Sequence, residues 1–124
     1  MPHDIRIPYS FLNHRKRRRL RKLLGDRSDS YLIDLWLTTA LSGKWDGVLK
    51  GMKEEDIAEE VGYEGDSAEF CKALVEAGFI KQNGSGVYFI HDWAEHQDYI
   101  YKTPNRIERG RLAGKASAES RRKE

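Results

Sequence analysis

Apolar residues change their spacing several times along this chain, and each change marks an element. Ile5, Ile7 and Tyr9 alternate with Arg6 and Pro8, the two-residue repeat of a short edge strand, where a proline is tolerated because its missing N–H can face solvent. From Asn13 the repeat becomes helical: Leu20, Leu23 and Leu24 stand at i, i+3, i+4, while Arg15, Arg18, Arg19 and Lys22 share a different face. Gly25 ends this helix. Ser28 or Asp29 is placed to cap a second helix through Tyr31, Leu32, Leu35, Trp36 and Thr39 to Leu41, closed by Gly43. It is the most apolar helix and the expected spine of the core. Asp46-Gly47 marks a turn, and Val48-Leu49 has room only for a very short strand.

The pattern then shortens. A third helix is expected from about Glu54 to Val61, with Ile57, Ala58 and Val61 inward and acids in its first turn. Asp66 and Glu69 are spaced like a capping box, and Phe70, Ala73, Leu74 and Ala77 follow at i, i+3, i+4, i+7 before Gly78. Two short helices joined by a tight glycine-containing turn make a helix-turn-helix. Phe79–Gln82 and Val87–His91 are strand-like runs around Asn83-Gly84-Ser85-Gly86, residues that accept positive φ and so favour a hairpin. Helix, short strand, helix, helix, hairpin is the order of a winged helix. The predicted class is therefore α+β, mainly α: a winged helix-turn-helix over residues 1–101, with a preceding basic helix and a short β-hairpin wing. Trp93, Tyr99, Ile100 and Tyr101 are expected to fold back on the core. Pro104 opens a basic flexible tail or linker over residues 102–124, where Gly110 and Gly114 weaken any free-standing helix.

Charge changes the picture more than composition does. The formal net charge is only +2, with 34% charged and 39% hydrophobic residues, enough apolar material for one modest core. Yet residues 13–27 carry a net +7, residues 28–101 a net −10 and residues 102–124 a net +5. An acidic body is flanked by two basic arms. Cys71 is the single cysteine, which excludes an internal disulfide framework; within a helical pattern beside Phe70 and Leu74 it reads as a buried thiol. No run approaches the ~20 apolar residues of a membrane span, and Met1-Pro2-His3-Asp4 opens no signal peptide. A cytoplasmic protein without membrane contact is expected.

At this point a resemblance emerges. Phe11, Asn13-His14-Arg15-Lys16, Arg18-Arg19-Leu20, Leu24-Gly25, Leu35-Trp36-Leu37, Glu55-Asp56-Ile57-Ala58, Leu74-Val75-Glu76-Ala77-Gly78-Phe79-Ile80 and Ile90-His91-Asp92-Trp93 with His96-Gln97 together resemble the amino-terminal winged-helix domain of phage and prophage replication proteins of the replisome-organiser, DnaD-like type. The likeness spans roughly residues 5–101. It implies an initiator or organiser that binds DNA, self-associates and helps bring in the replicative helicase or its loader. Such proteins usually continue past a charged linker into a second domain, which the motifs matched here do not include, so the helicase-recruiting part of the implication stays open.

The basic helix is the sharpest candidate site. Arg15 to Arg19 is an unbroken run of cations, extended by Arg21 and Lys22, and such crowding is self-repelling unless a polyanion relieves it. Arg15, Lys16, Arg18, Arg19, Arg21 and Lys22 are the expected DNA phosphate ligands, joined by Lys81 and Asn83 on the wing and Arg106, Arg109 and Arg111 in the tail, with Lys115, Arg121, Arg122 and Lys123 adding diffuse charge. A solvated face lying against the acidic body, and a nuclear-localisation signal, are alternative readings of the same run. The helix at the recognition position carries Asp66, Glu69, Lys72 and Glu76, unlike the Arg, Lys, Asn or Gln of base readers. Packing or contact with a partner protein suits it better. Asp92 and His96 at i, i+4 beside His91 invite a metal reading, but a structural zinc wants four ligands and the cysteine is distant in sequence. Asp92 as a helix cap and Trp93 as a packed residue explain the motif without one. No nucleophile with a base, phosphate-binding loop or paired catalytic carboxylate stands out, so no enzyme, cofactor or small-molecule substrate is expected. A homodimer is expected from Tyr31, Trp45, Tyr63 and Trp93, more aromatic surface than a small core hides. Protein docking without DNA, a replication partner protein among the candidates, and transcriptional regulation remain alternatives to the DNA-replication reading.

Overall fold

The computed structural model describes the backbone of residues 4–123 and the side chains of residues 4–113. A 3₁₀ turn at Tyr9–Asn13 leads into α1 (Arg15–Leu24), followed by α2 (Ser28–Leu41), α3 (Glu54–Glu60), α4 (Ser67–Ala77), β1 (Ile80–Gln82), β2 (Tyr88–Ile90), α5 (Trp93–His96), α6 (Asp98–Tyr101) and α7 (Thr103–Lys123). The fold is α+β and mainly α. Its sheet among the described residues is one antiparallel pair, with Ile80 opposite Ile90, Lys81 opposite Phe89 and Gln82 opposite Tyr88.

Local chemistry explains most boundaries. The His14 ring accepts a hydrogen bond from the Lys16 amide at 3.1 Å and starts α1, which satisfies one of the orphan donors of a helix beginning. Asp56 returns a carboxylate to the Lys53 amide at 2.8 Å at the start of α3, and Asp66 caps α4 by accepting from the Glu69 amide at 3.1 Å. Gly78 closes α4 in the left-handed region, with φ 90°, where a Cβ is penalised. In the hairpin the Asn83 side-chain oxygen accepts from the amides of Ser85 at 2.9 Å and Val87 at 3.0 Å, so the turn is held by the residue that opens it.

The core lies where α1, α2, α3 and α4 meet the hairpin. Leu20, Leu32, Leu35, Leu49, Ile57, Phe70, Leu74 and Ile80 are all fully buried, each such side chain stabilising the fold by about 1.5–3 kcal/mol. Tyr63 stacks on Phe70 at 4.5 Å between ring centroids, and Tyr31 meets both edge-on. Tyr31, Trp45 and Tyr63 pack against the core and Trp93 lies within it, so all four aromatic residues invoked for dimerisation are engaged inside the protomer.

Several features depart from the sequence reading. Ile5–Tyr9 forms no strand. Instead the Gln97 side-chain amide clasps the segment, its oxygen accepting from the Arg6 amide at 2.8 Å and its nitrogen donating to the Arg6 carbonyl at 2.6 Å, a side chain doing the pairing that a neighbouring strand would do. Val48 forms a single bridge to Phe89 and no strand. Neither Ser28 nor Asp29 caps α2: Arg27 holds the cap position, the Ser28 hydroxyl is buried without a partner, and Asp29 turns to Arg17. Helix α2 does run to Leu41 as its pattern implies, and that last residue is 89% exposed.

The segment expected as a tail is the helix α7. Pro104 sits in its first turn, where no intrahelical donor is lost. Thr103 is buried at its start, Arg106 lies 3.6 Å over the Tyr99 ring and donates to the Thr103 hydroxyl at 2.8 Å, and Glu108 pairs with Arg111 at 2.6 Å. These contacts offset the weakness of Gly110. The side chains of Lys115, Arg121, Arg122 and Lys123 lie outside those described.

Candidate nucleic-acid interface

The cations of α1 divide into two groups by what lies beneath them. Arg17 is anchored: its guanidinium donates to both carboxylate oxygens of Asp29, at 3.0 and 2.7 Å, and to the Leu12 carbonyl at 2.6 Å. The hydrogen bond from Arg17 holds the Asp29 carboxyl below its ordinary range. Lys16 is half-buried, and its ammonium donates to the Gly78 carbonyl at 3.3 Å, where a cation complements the end of α4. Lys16, read from sequence as a phosphate ligand, also joins α1 to α4.

The second group faces water. Arg15, Arg18, Arg19, Arg21 and Lys22 are all exposed. Arg21 has only a long contact to Asp26, 3.9 Å, and Arg18 donates to the Asn13 carbonyl at 3.0 Å. Arg15, Arg18, Arg19 and Lys22 pair with no carboxylate among the described residues. They form a positive ridge on one side of a helix whose other side packs on α2 and α4.

The remaining expected ligands separate in the same way. Lys81 is exposed on β1. Asn83 is exposed too, but its oxygen is spent in the hairpin turn. Arg106 is engaged with Tyr99 and Thr103, and Arg111 with Glu108, whereas Arg109 is exposed. On α4 the outward residues are Glu69, Lys72, Val75 and Glu76, and on α3 they are Glu55, Asp56, Glu59 and Glu60. Helices α3 and α4 therefore present a mainly acidic surface, and the positive ridge of α1 stands beside it.

Between the N-terminal segment, the start of α1 and the end of the hairpin lies a cleft of about 130 Å³ that sequence reasoning missed. Phe11, Trp36 and Phe79 line it, three half-buried rings that meet edge-on at centroid distances of 5.5 to 6.5 Å. Arg6, His14, Lys16, His91 and His96 also line it, opposed by Asp92. These residues are brought together from both ends of the chain, and no spacing in the sequence announces them.

The His-Asp-Trp segment is largely structural. His91 lies 3.1 Å from Asp92, which takes the unusual φ of 57° as it leads into α5. Asp92 makes no side-chain cap there. Trp93 is buried and its indole donates to the Trp45 carbonyl at 2.8 Å. Among the described residues no three of His, Cys, Asp and Glu stand together as a metal site. Burial pushes the Cys71 thiol up to about 12, which keeps it protonated and a poor nucleophile at neutral pH. No helix among the described residues is long and apolar enough to cross a membrane. Comparison with known proteins finds no matching family model, no matching curated protein and no matching solved structure.

Proposed function

We propose that this chain is a DNA-binding module of winged-helix type that grips the phosphate backbone with α1, and that it acts in DNA replication as the resemblance to phage organiser proteins implies. One observation carries the reading: Arg15, Arg18, Arg19 and Lys22 share an exposed ridge and lack carboxylate partners among the described residues. Crowded like charges of this kind gain most from a polyanion. Lys81 and Arg109 extend the positive surface, and α3, α4 and the hairpin serve as the scaffold and wing. The acidic face of α3 and α4 suits a protein partner and disfavours entry into the major groove. The proposed role is binding, without catalysis or a cofactor, inside the cell.

Replacing Arg15, Arg18, Arg19 and Lys22 by Gln tests the assignment in fluorescence anisotropy with labelled DNA at several salt concentrations. Binding should weaken for all sequences alike, and the slope of log affinity against log salt should flatten by up to about 0.9 for each phosphate that is no longer neutralised. Glu69→Gln and Glu76→Gln should leave affinity unchanged or raise it. An unaltered slope with altered sequence preference in the α4 variants would place the DNA on α4 instead.

A further inference from the structure

We infer that the cleft beside α1 is a site for one nucleotide of a single nucleic-acid strand, its base against the rings of Phe11, Trp36 and Phe79 and its phosphate against the histidine and lysine rim. The inference rests on the nucleic-acid reading of α1 and adds the kind of strand and the residues that hold it. The rings meet edge-on and are only half-buried; the Arg17 guanidinium lies over the Phe11 ring at 5.2 Å, and the surface left on Trp36 and Phe79 suits stacking, the contact by which single-strand binders take bases of any sequence.

The rim selects an anion. His91 is depressed below its ordinary value, first by burial and then by Lys16, with Lys81 and His96 acting the same way and only Asp92 opposing them. Lys16, Lys81 and His96 face His91 from α1, β1 and α5, against the one carboxylate of Asp92. The His14 ring nitrogen Nδ1 accepts from the Lys16 amide, which leaves Nε2–H as the donor of the neutral ring. Lys16 belongs to both the cleft and the helix that carries the ridge, so phosphates running along α1 lead to the cleft without a break in charge. A base paired and stacked within a duplex cannot enter such a cleft; an unpaired one can.

The test compares a labelled oligothymidylate with a duplex of equal length by anisotropy, using the whole chain. Ser10→Glu and His96→Glu place an anion on the rim, where both residues line the cleft, are exposed and make no side-chain hydrogen bond among the described residues, and thermal unfolding checks that both variants stay folded. Wild-type protein should prefer the single strand by about tenfold, and each variant should lose about tenfold for that strand while keeping its duplex affinity. A second readout needs no variant: adding oligothymidylate should move the His91 ring titration, followed by NMR, toward higher pH. Silent or non-selective rim variants with an unmoved His91 would overturn the cleft, and the proposed function would survive if Gln replacements in α1 still weakened binding. Absence of any salt-dependent complex with either nucleic acid would overturn both.

Discussion

Trp93 shows how much one side chain organises here. Its ring lies so close to the backbone of Gly47 that a Cβ at that position would come within 2.5 Å of it, and Gly47 also holds a φ of +75°. The turn at Asp46-Gly47 is thus required by a contact with a residue far along the chain as well as by local turn chemistry. His91, two residues before Trp93, makes a prediction about pH. Its folded value is depressed, chiefly by burial, so between that value and its ordinary one the unfolded chain binds more protons than the folded one. Stability is then full above the ordinary value of about 6.5 and falls as pH drops below it. Thermal unfolding should show a decline in melting temperature below that pH which His91→Gln reduces; an identical decline in the variant would assign it to other groups.

At the scale of elements, the N-terminal segment depends on a single side chain from the opposite end of the domain. Gln97 is 4% exposed and satisfies both backbone groups of Arg6, so a truncated side chain would remove both part-buried hydrogen bonds that hold the segment. Gln97→Ala should cost about 1–3 kcal/mol and speed hydrogen exchange at the Arg6 amide, while the amides of α4 keep their relative protection. Uniform acceleration throughout would mean that the segment unfolds only with the core. Helix α1 is held differently, by Leu20 in the core, Arg17 on Asp29 and Lys16 on Gly78. Those anchors hold its inner face and leave its ridge free to bind.

For the molecule as a whole, a net charge of +2 conceals strong segregation. The ridge on α1 and the acidic faces of α3 and α4 each crowd like charges, and the direct ion pairs between α1 and acidic residues are Arg17–Asp29 and the long Arg21–Asp26 contact among the described residues. Repulsion within each block, at tenths of a kcal/mol per neighbouring pair, is screened by salt. Added salt should therefore raise the melting temperature of the DNA-free protein by several degrees, on the order of 1 kcal/mol for a domain of this size, while weakening any DNA complex. A melting temperature that fell with salt would mean that attraction between the blocks outweighs repulsion inside them.

Helix spacing, caps and turn residues were legible in the chain because each depends on neighbours within a few positions. Phe70, Ala73, Leu74 and Ala77 are buried as their periodicity implies, Asp66 caps α4, Gly78 ends it, and the Asn83–Gly86 stretch turns the hairpin. The run of cations was equally visible, and so was the mainly acidic face of α4. Tertiary structure decided how those cations are held: Lys16 is bonded to a carbonyl 62 residues away and Arg17 is paired with a carboxylate on the next helix. It likewise decided that the N-terminal segment is clasped by a side chain 91 residues away instead of pairing as a strand, that residues 103–123 continue as a helix, and that aromatic and histidine residues from both ends of the chain line one cleft. A local pattern records how a segment can fold; which polar groups remain free to bind depends on partners that the fold brings from elsewhere.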